Sequence, residues 1–288
     1  MPAIKHIWIT GSGGQLGKEF YDLQEAFPFF KFFFTTHQQL SITHTAAIYS
    51  YIIGNQIDLC INCAAYTAVD LAEKEQVAAL EANAEAPGKL ASICEKVNVQ
   101  LVHFSTDYVF NGGGNTPYSP SDKTDPVNSY GQTKLAGENA VSVANPQAMI
   151  VRTSWVYSNY GKNFLNTMLR LMSEKEQISV VDDQYGSPTY AADLALAILR
   201  IAEGDSFVPG IHHYTNGGIT TWFHFAVEIK KLAGSNCNVK PIPTSLYPTP
   251  AKRPAFSGLD TSGFPLHFGL PILPWQESLA NCLARRNH

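Results

Sequence analysis

The stretch Thr10-Gly11-Ser12-Gly13-Gly14-Gln15-Leu16-Gly17 closes a β-branched and aromatic run over residues 4–10 and leads straight into helical spacing over 15–26, with Leu16, Phe20 and Leu23 on one face. Strand, glycine-rich turn and helix in that order are the opening unit of a dinucleotide-binding fold. Gly11 permits the tight turn, Gly14 lets backbone N–H groups approach a pyrophosphate, and Gly17 lets helix and strand pack closely, with the helix N-terminus facing the anion. An ordinary glycine-rich turn would carry the same glycines. Their place after the first strand of the chain favours the dinucleotide reading.

Outward from this turn the pattern repeats. Short buried strands are predicted at 29–35, 59–64, 101–105 and 148–153, alternating with helical stretches at 46–53, 77–98 and about 130–143. Such alternation implies an α/β fold, a Rossmann-type doubly wound parallel sheet with helices on both faces. After Trp155 the rhythm loosens and prolines gather over 241–274, which marks a smaller C-terminal substrate-binding lobe. The expected division is 1–157 for the dinucleotide-binding part, with about 178–202 returning to it, and 158–288 mainly for the lobe.

Composition narrows the partners. Hydrophobic residues make up 45% and charged residues 15% of the 288, which excludes a disordered chain. A net charge of −4 without a dense Lys/Arg run argues against nucleic acid. The longest apolar stretch, 27–34, is broken by Lys31 and far too short to span a membrane, and a cytoplasmic protein is expected. Cys60 and Cys63 lie inside an apolar strand-like run, and the five cysteines read as reduced thiols rather than a redox or metal pair.

Tyr130 and Lys134 stand four apart and share one face of a predicted helix. A nearby ammonium favours the phenolate and would draw the tyrosine's pKa down toward the working range, so that Tyr130 could exchange a proton with a carbinol or ketone oxygen. Ser105 and Thr106 end a predicted strand on the side where open α/β sheets bind ligands, and either hydroxyl could bond the same oxygen; strand alternation does not choose between them. At the end of the second strand, residues 34–42 carry no carboxylate to read a 2′-hydroxyl, which favours NADPH over NADH, although no arginine stands ready to clamp a 2′-phosphate. Trp155 reads as a sugar-stacking ring or as plain core, and Arg253 as a diphosphate fork or as an ion pair. His212 and His213 point to opposite faces of a strand and read as structural.

Taken together these stretches resemble the dTDP-4-dehydrorhamnose reductases, a family of extended short-chain dehydrogenases of rhamnose biosynthesis. The resemblance runs along nearly the whole chain, through residues 14–17, 62–70, 105–110, 130–138, 152–157, 183–189 and 247–254. It implies Tyr130 as proton donor, Lys134 as its electrostatic partner and a ribose contact, and Thr106 rather than Ser105 as the polarising hydroxyl. It implies cofactor contacts at Gly11, Gly14, Gln15, Leu16, Gly17, Ser41, Ile42, Ala64, Ala65 and Tyr66, and sugar-nucleotide contacts at Thr67, Val69, Thr106, Asp107, Tyr108, Trp155 and Arg253. Some relatives hold magnesium through acidic ligands; here Glu19 is kept but Ala192 stands where a carboxylate would be needed, so no metal is expected. The reaction implied is hydride transfer from NADPH, or alternatively NADH, to C4 of a dTDP-linked ketosugar. The rivals are an epimerase or dehydratase with tightly bound NAD and a non-catalytic regulatory subunit of the same fold. The partner is a nucleotide sugar, and a homodimer is kept open.

Overall fold

A computed structural model of the chain describes residues 5–204 and 206–286. The N-terminal part runs β1 (Lys5–Thr10), α1 (Gln15–Leu23), β2 (Phe30–Thr35), α2 (Thr45–Asn55), β3 (Leu59–Asn62), α3 (Gln76–Leu80), α4 (Ala86–Lys96), β4 (Gln100–Thr106), α5 (Ser129–Ala144) and β5 (Met149–Thr153). It is followed by β6 (Val156–Tyr157), α6 (Phe164–Glu174), β7 (Gln177–Val181), β8 (Tyr185–Gly186), β9 (Thr189–Tyr190), α7 (Ala191–Glu203), β10 (Gly210–His213), β11 (Thr220–Thr221), α8 (Trp222–Leu232), β12 (Asn238–Ile242), α9 (Gly263–Phe268) and α10 (Trp275–Arg286). Six strands form one all-parallel sheet in the order β10-β5-β4-β3-β1-β2.

Strand alternation sorts the core into two layers. Ile7, Ile9, Leu59, Ile61, Val102, Phe104, Met149 and Val151 face the side covered by Phe20 of α1, Leu194 and Ile198 of α7, and Phe264 and Phe268 of α9. Trp8, Cys60, Leu101 and Ile150 face the other side, under Ile48 and Ile52 of α2, Leu90 and Cys94 of α4, and Val141 of α5. Each such side chain contributes roughly 1.5–3 kcal/mol on burial, so a one-residue slip of any strand is prohibitive and the strand ends are held in register.

The lobe has its own core, with Tyr157, Leu165, Met168, Ile178, Phe225, Ile229, Trp275 and Leu279 packed together. Of the segment of about 178–202 expected to return to the dinucleotide-binding part, α7 packs on α1, while β7 pairs with β12 in the lobe. A strand that returns to the main sheet is β10, which lies beside β5. His212 and His213 do fall on opposite faces of it, one against His267 and Phe268, the other against Phe110 and Arg152.

The helix expected over 77–98 is interrupted by a wide π turn at Glu81–Glu85. Pro87 has no N–H to give Asn83, so the regular ladder cannot continue there, and the Ala86 N–H bonds back to Glu81 instead. The interruption has a consequence for the site, because it carries Asn83.

Candidate active site

The turn after β1 is held shut by two backbone bonds, Ser12 N–H to the Thr35 carbonyl at 3.1 Å and Gly14 N–H to the Gly11 carbonyl at 2.9 Å. Gly11 has φ +60°, and a Cβ there would lie 2.6 Å from the Ala64 nitrogen; one at Gly17 would lie 2.5 Å from the Ser12 Cα. Both glycines are therefore steric requirements of the turn. Helix α1 starts behind it with no side-chain cap and no acidic residue in its first turn, so its leading N–H groups and positive dipole end are left for an anion. These residues fit the diphosphate of a dinucleotide.

Behind the turn, Thr10 donates to Asn62 at 2.6 Å, the Asn62 amide meets His103 at 3.0 Å, and Asn62 accepts from the Ala64 N–H at 3.2 Å. This buried chain fixes the loop after β3. Asn83 of the π turn grips the same loop from the other side, accepting from Tyr66 N–H at 2.8 Å and donating to the Tyr66 carbonyl at 3.0 Å and to Thr133 at 3.1 Å. Ala64, Ala65 and Tyr66 thus sit beside the phosphate turn. Ser41 and Ile42 do not present themselves in the same way: Ile42 is buried in the core under α2, and the Ser41 hydroxyl, also buried, pairs with Thr43.

Helix α5 is anchored at its start. Asn128 caps it by accepting from the Gly131 N–H at 2.8 Å and donates to the Lys252 carbonyl at 2.8 Å, while Glu73 accepts from the Ser129 N–H and hydroxyl at 2.8 and 3.0 Å. Tyr130 follows at once, its ring edge-on to Tyr108 at 5.9 Å and its phenol beside the Thr106 hydroxyl. Thr106 ends β4, donates to Asp107 at 3.0 Å and accepts from the Tyr108 N–H at 3.2 Å. Asp107 is buried, and its second carboxylate oxygen has no hydrogen-bond partner among the described residues.

Burial pushes the Tyr130 phenol up to about 12, with Thr106 acting against the rise and Asp107 with it. Burial likewise pushes Lys134 down to about 8, against the pull of Glu138, and lifts Asp107 to about 7 against its hydrogen bonds with Ser257 and Thr106. The depressed tyrosine expected from the Tyr/Lys spacing is therefore not found. Lys134 shares the helix face, but its ammonium is turned onto the Phe104 carbonyl at 2.6 Å, and desolvation outweighs any help it gives the phenolate.

The site is closed from the lobe. Arg253 pairs with Asp70 at 2.9 Å and donates to the Ala251 carbonyl at 2.9 Å, and the Ala251 N–H returns to Asp70 at 3.2 Å. Of the two readings of Arg253, the ion pair is the one formed, and it ties the lobe to the loop after β3 that carries Thr67 and Val69. Trp155 also meets the lobe. It adopts φ +47° just past β5 and stacks on Trp222 with ring centroids 3.5 Å apart, while Gly186 approaches so closely that a Cβ would lie 2.6 Å from the indole. One face of the indole is taken by Trp222, which sequence gave no means of foreseeing, so free stacking on a sugar is not its state here.

Glu19 is buried and accepts from Ser158 at 2.6 Å and from Arg285 of α10 at 3.1 Å. Sequence reading also missed Glu73, Asn83 and Asn128; only Asn128 carried a signal, an Asn directly before a helical run.

Residues 5–287 match the family model described as RmlD substrate binding domain. The chain is 41% identical over 283 residues to the dTDP-4-dehydrorhamnose reductase of Mycolicibacterium smegmatis, covering 97% of this chain and 85% of that one. Among solved structures it is similar to a dTDP-4-dehydrorhamnose reductase from Clostridium acetobutylicum, with TM-score 0.93 and 38% identity over 98% of this chain and 100% of that one. It is similar also to one from Bacillus anthracis in complex with NADP, with TM-score 0.93 and 36% identity over 98% and 99%.

Proposed function

Because the chain belongs to the RmlD substrate binding domain family, whose relatives cited above are dTDP-4-dehydrorhamnose reductases, we propose the following account of its chemistry. The protein is an NADPH-dependent oxidoreductase that reduces the C4 ketone of dTDP-4-dehydro-6-deoxy-L-mannose to give dTDP-L-rhamnose. Five unpaired cysteine thiols support a cytoplasmic setting. The observation that carries the reading is the meeting of Tyr130, Thr106 and Asp107 at the C-terminal end of β4, next to a phosphate turn with an uncapped helix behind it.

NADPH, when bound, supplies the hydride that adds to C4. Tyr130 gives its phenolic proton to the carbonyl oxygen, a task suited to a phenol held near 12 and so fully protonated at neutral pH. Thr106, beside that phenol, would turn its one hydroxyl proton from Asp107 to the same oxygen and polarise it. Lys134 lies one helical turn on, and rotating its ammonium from the Phe104 carbonyl toward the phenol would steady the phenolate left behind and offer a donor to a ribose. Asp107, whose second oxygen is buried without a partner among the described residues, would take a sugar hydroxyl as substrate enters, Tyr108 walls the pocket, and the Asp70–Arg253 tie holds the lobe over it.

The test is to mix the protein with dTDP-4-keto-6-deoxy-L-mannose and follow NADPH and NADH oxidation side by side. Stoichiometric conversion to dTDP-L-rhamnose with NADPH is expected; no oxidation of either cofactor overturns the reading.

A further inference from the structure

Between Glu25 and Asp58 the chain contains no Asp or Glu, and this acid-free stretch includes the whole of β2 and the turn that follows it. In a fold of this kind the end of the second strand meets the adenosine ribose, and an enzyme that selects NADH places an acceptor there for the 2′-hydroxyl. Here donors stand in that place.

The Thr36 N–H and the Thr36 hydroxyl both donate to one atom, Oε1 of Gln39, at 2.9 and 3.1 Å. The acceptor lone pairs of that amide are thereby occupied from within the chain, and its NH2 has no hydrogen-bond partner among the described residues. Among the described residues Ser12 and His37 also have no side-chain hydrogen-bond or ion-pair partner, and His37 is exposed. The turn is close to the phosphate loop: Thr35 lies opposite Thr10 in the sheet, Ser12 N–H bonds the Thr35 carbonyl, and a Cβ on Gly13 would stand 3.6 Å from the Thr36 methyl. A ribose leaving a diphosphate on the α1 N-terminus would arrive at Thr36.

We propose that the Thr36–Gln39 turn, with Ser12, reads the 2′-phosphomonoester of NADPH, the phosphate taking the place of Gln39 Oε1 on the Thr36 N–H and hydroxyl. The Gln39 carbonyl is the internal stand-in for the ligand oxygen: it satisfies two donors that a dianion satisfies better, because hydrogen bonds to a charged acceptor are the stronger ones. His37 and the Gln39 NH2 supply further donors at the rim. The arrangement accounts for how a chain with no arginine at this point selects NADPH, and it rests on the cofactor reading given above.

The experiment uses two small probes, 2′,5′-ADP and 5′-ADP, titrated into the full-length protein by calorimetry. The wild-type protein is expected to bind 2′,5′-ADP at least about tenfold more tightly than 5′-ADP, the gain of one charge-assisted hydrogen bond or more. Thr36→Asp is expected to remove that preference while 5′-ADP binding is kept or strengthened, because the new carboxylate accepts from its 2′-hydroxyl, and retained binding also shows that the variant is folded. Thr36→Val is expected to reduce the preference in part. Equal affinity for both probes in the wild-type protein overturns the phosphate reader but leaves the cofactor site standing. Failure to bind either probe overturns the cofactor reading itself. A tenfold preference untouched by Thr36→Asp assigns the selection to other residues and overturns the role of this turn.

Discussion

The Ser105 hydroxyl donates to Glu138 Oε1 at 2.5 Å, on the α5 side of β4 and away from the cleft. The neighbouring Thr106 is the last residue of the strand, and its hydroxyl lies beside the Tyr130 phenol. Pleating sends two adjacent hydroxyls to opposite sides, and only one reaches the site.

The Ser105 partner is itself half of a buried ion pair. Arg152 donates to both carboxylate oxygens of Glu138, at 2.9 and 2.8 Å, with the two side chains only 3% and 2% exposed. Arg152→Met strands the carboxylate, and a loss of about 3–5 kcal/mol in urea unfolding is expected. The double variant Arg152→Met/Glu138→Leu is expected to lose less than that single change, because no unpaired charge is then left inside.

Tyr130→Phe keeps the ring against Tyr108 and removes the proposed proton donor. A fall in kcat of about 10²–10⁴ is expected, with NADPH affinity, followed by fluorescence quenching, changed less than about threefold. A normal kcat takes Tyr130 out of the donor role.

Asp107 gives a pH signature. Its carboxyl is raised to about 7 by burial, from an ordinary value of 3.8, so the folded protein keeps a proton that the unfolded chain releases. The stabilisation is complete below pH 4 and is lost as pH rises toward 7, by up to roughly 4 kcal/mol at 1.36 kcal/mol per unit. Asp107→Asn is expected to flatten the stability profile between pH 4 and 7 in urea titrations. An unchanged slope places the titrating group elsewhere.

Arg253 and Asp70 meet across the gap between the lobe and the loop after β3, with Asp70 42% exposed. Such a pair contributes at most about 1 kcal/mol, so Arg253→Met is expected to leave the melting temperature almost unchanged. Its effect is expected on substrate, with KM for the dTDP-sugar rising about tenfold while kcat holds. A large loss of stability with unchanged KM makes the pair structural only.

Local chemistry wrote much of this protein into its sequence. The glycine turn between a β-branched strand and an amphipathic helix fixed the dinucleotide unit, since few backbones other than this one need glycine at 11 and 17 together. Alternating apolar strands and helices fixed the parallel sheet, and a phenol four residues before an ammonium marked the helix face proposed for the chemistry. Tertiary structure decided what depends on residues far apart in the chain: the Phe104 carbonyl that takes up Lys134, the Trp222 ring on Trp155, the Asp70 carboxylate on Arg253, and the burial that raises Tyr130 instead of lowering it. Spacing along a helix reports which side chains share a face. Desolvation and long-range partners set how those side chains ionise and where they point, and both exist only once the sheet, the helices and the lobe have closed around them.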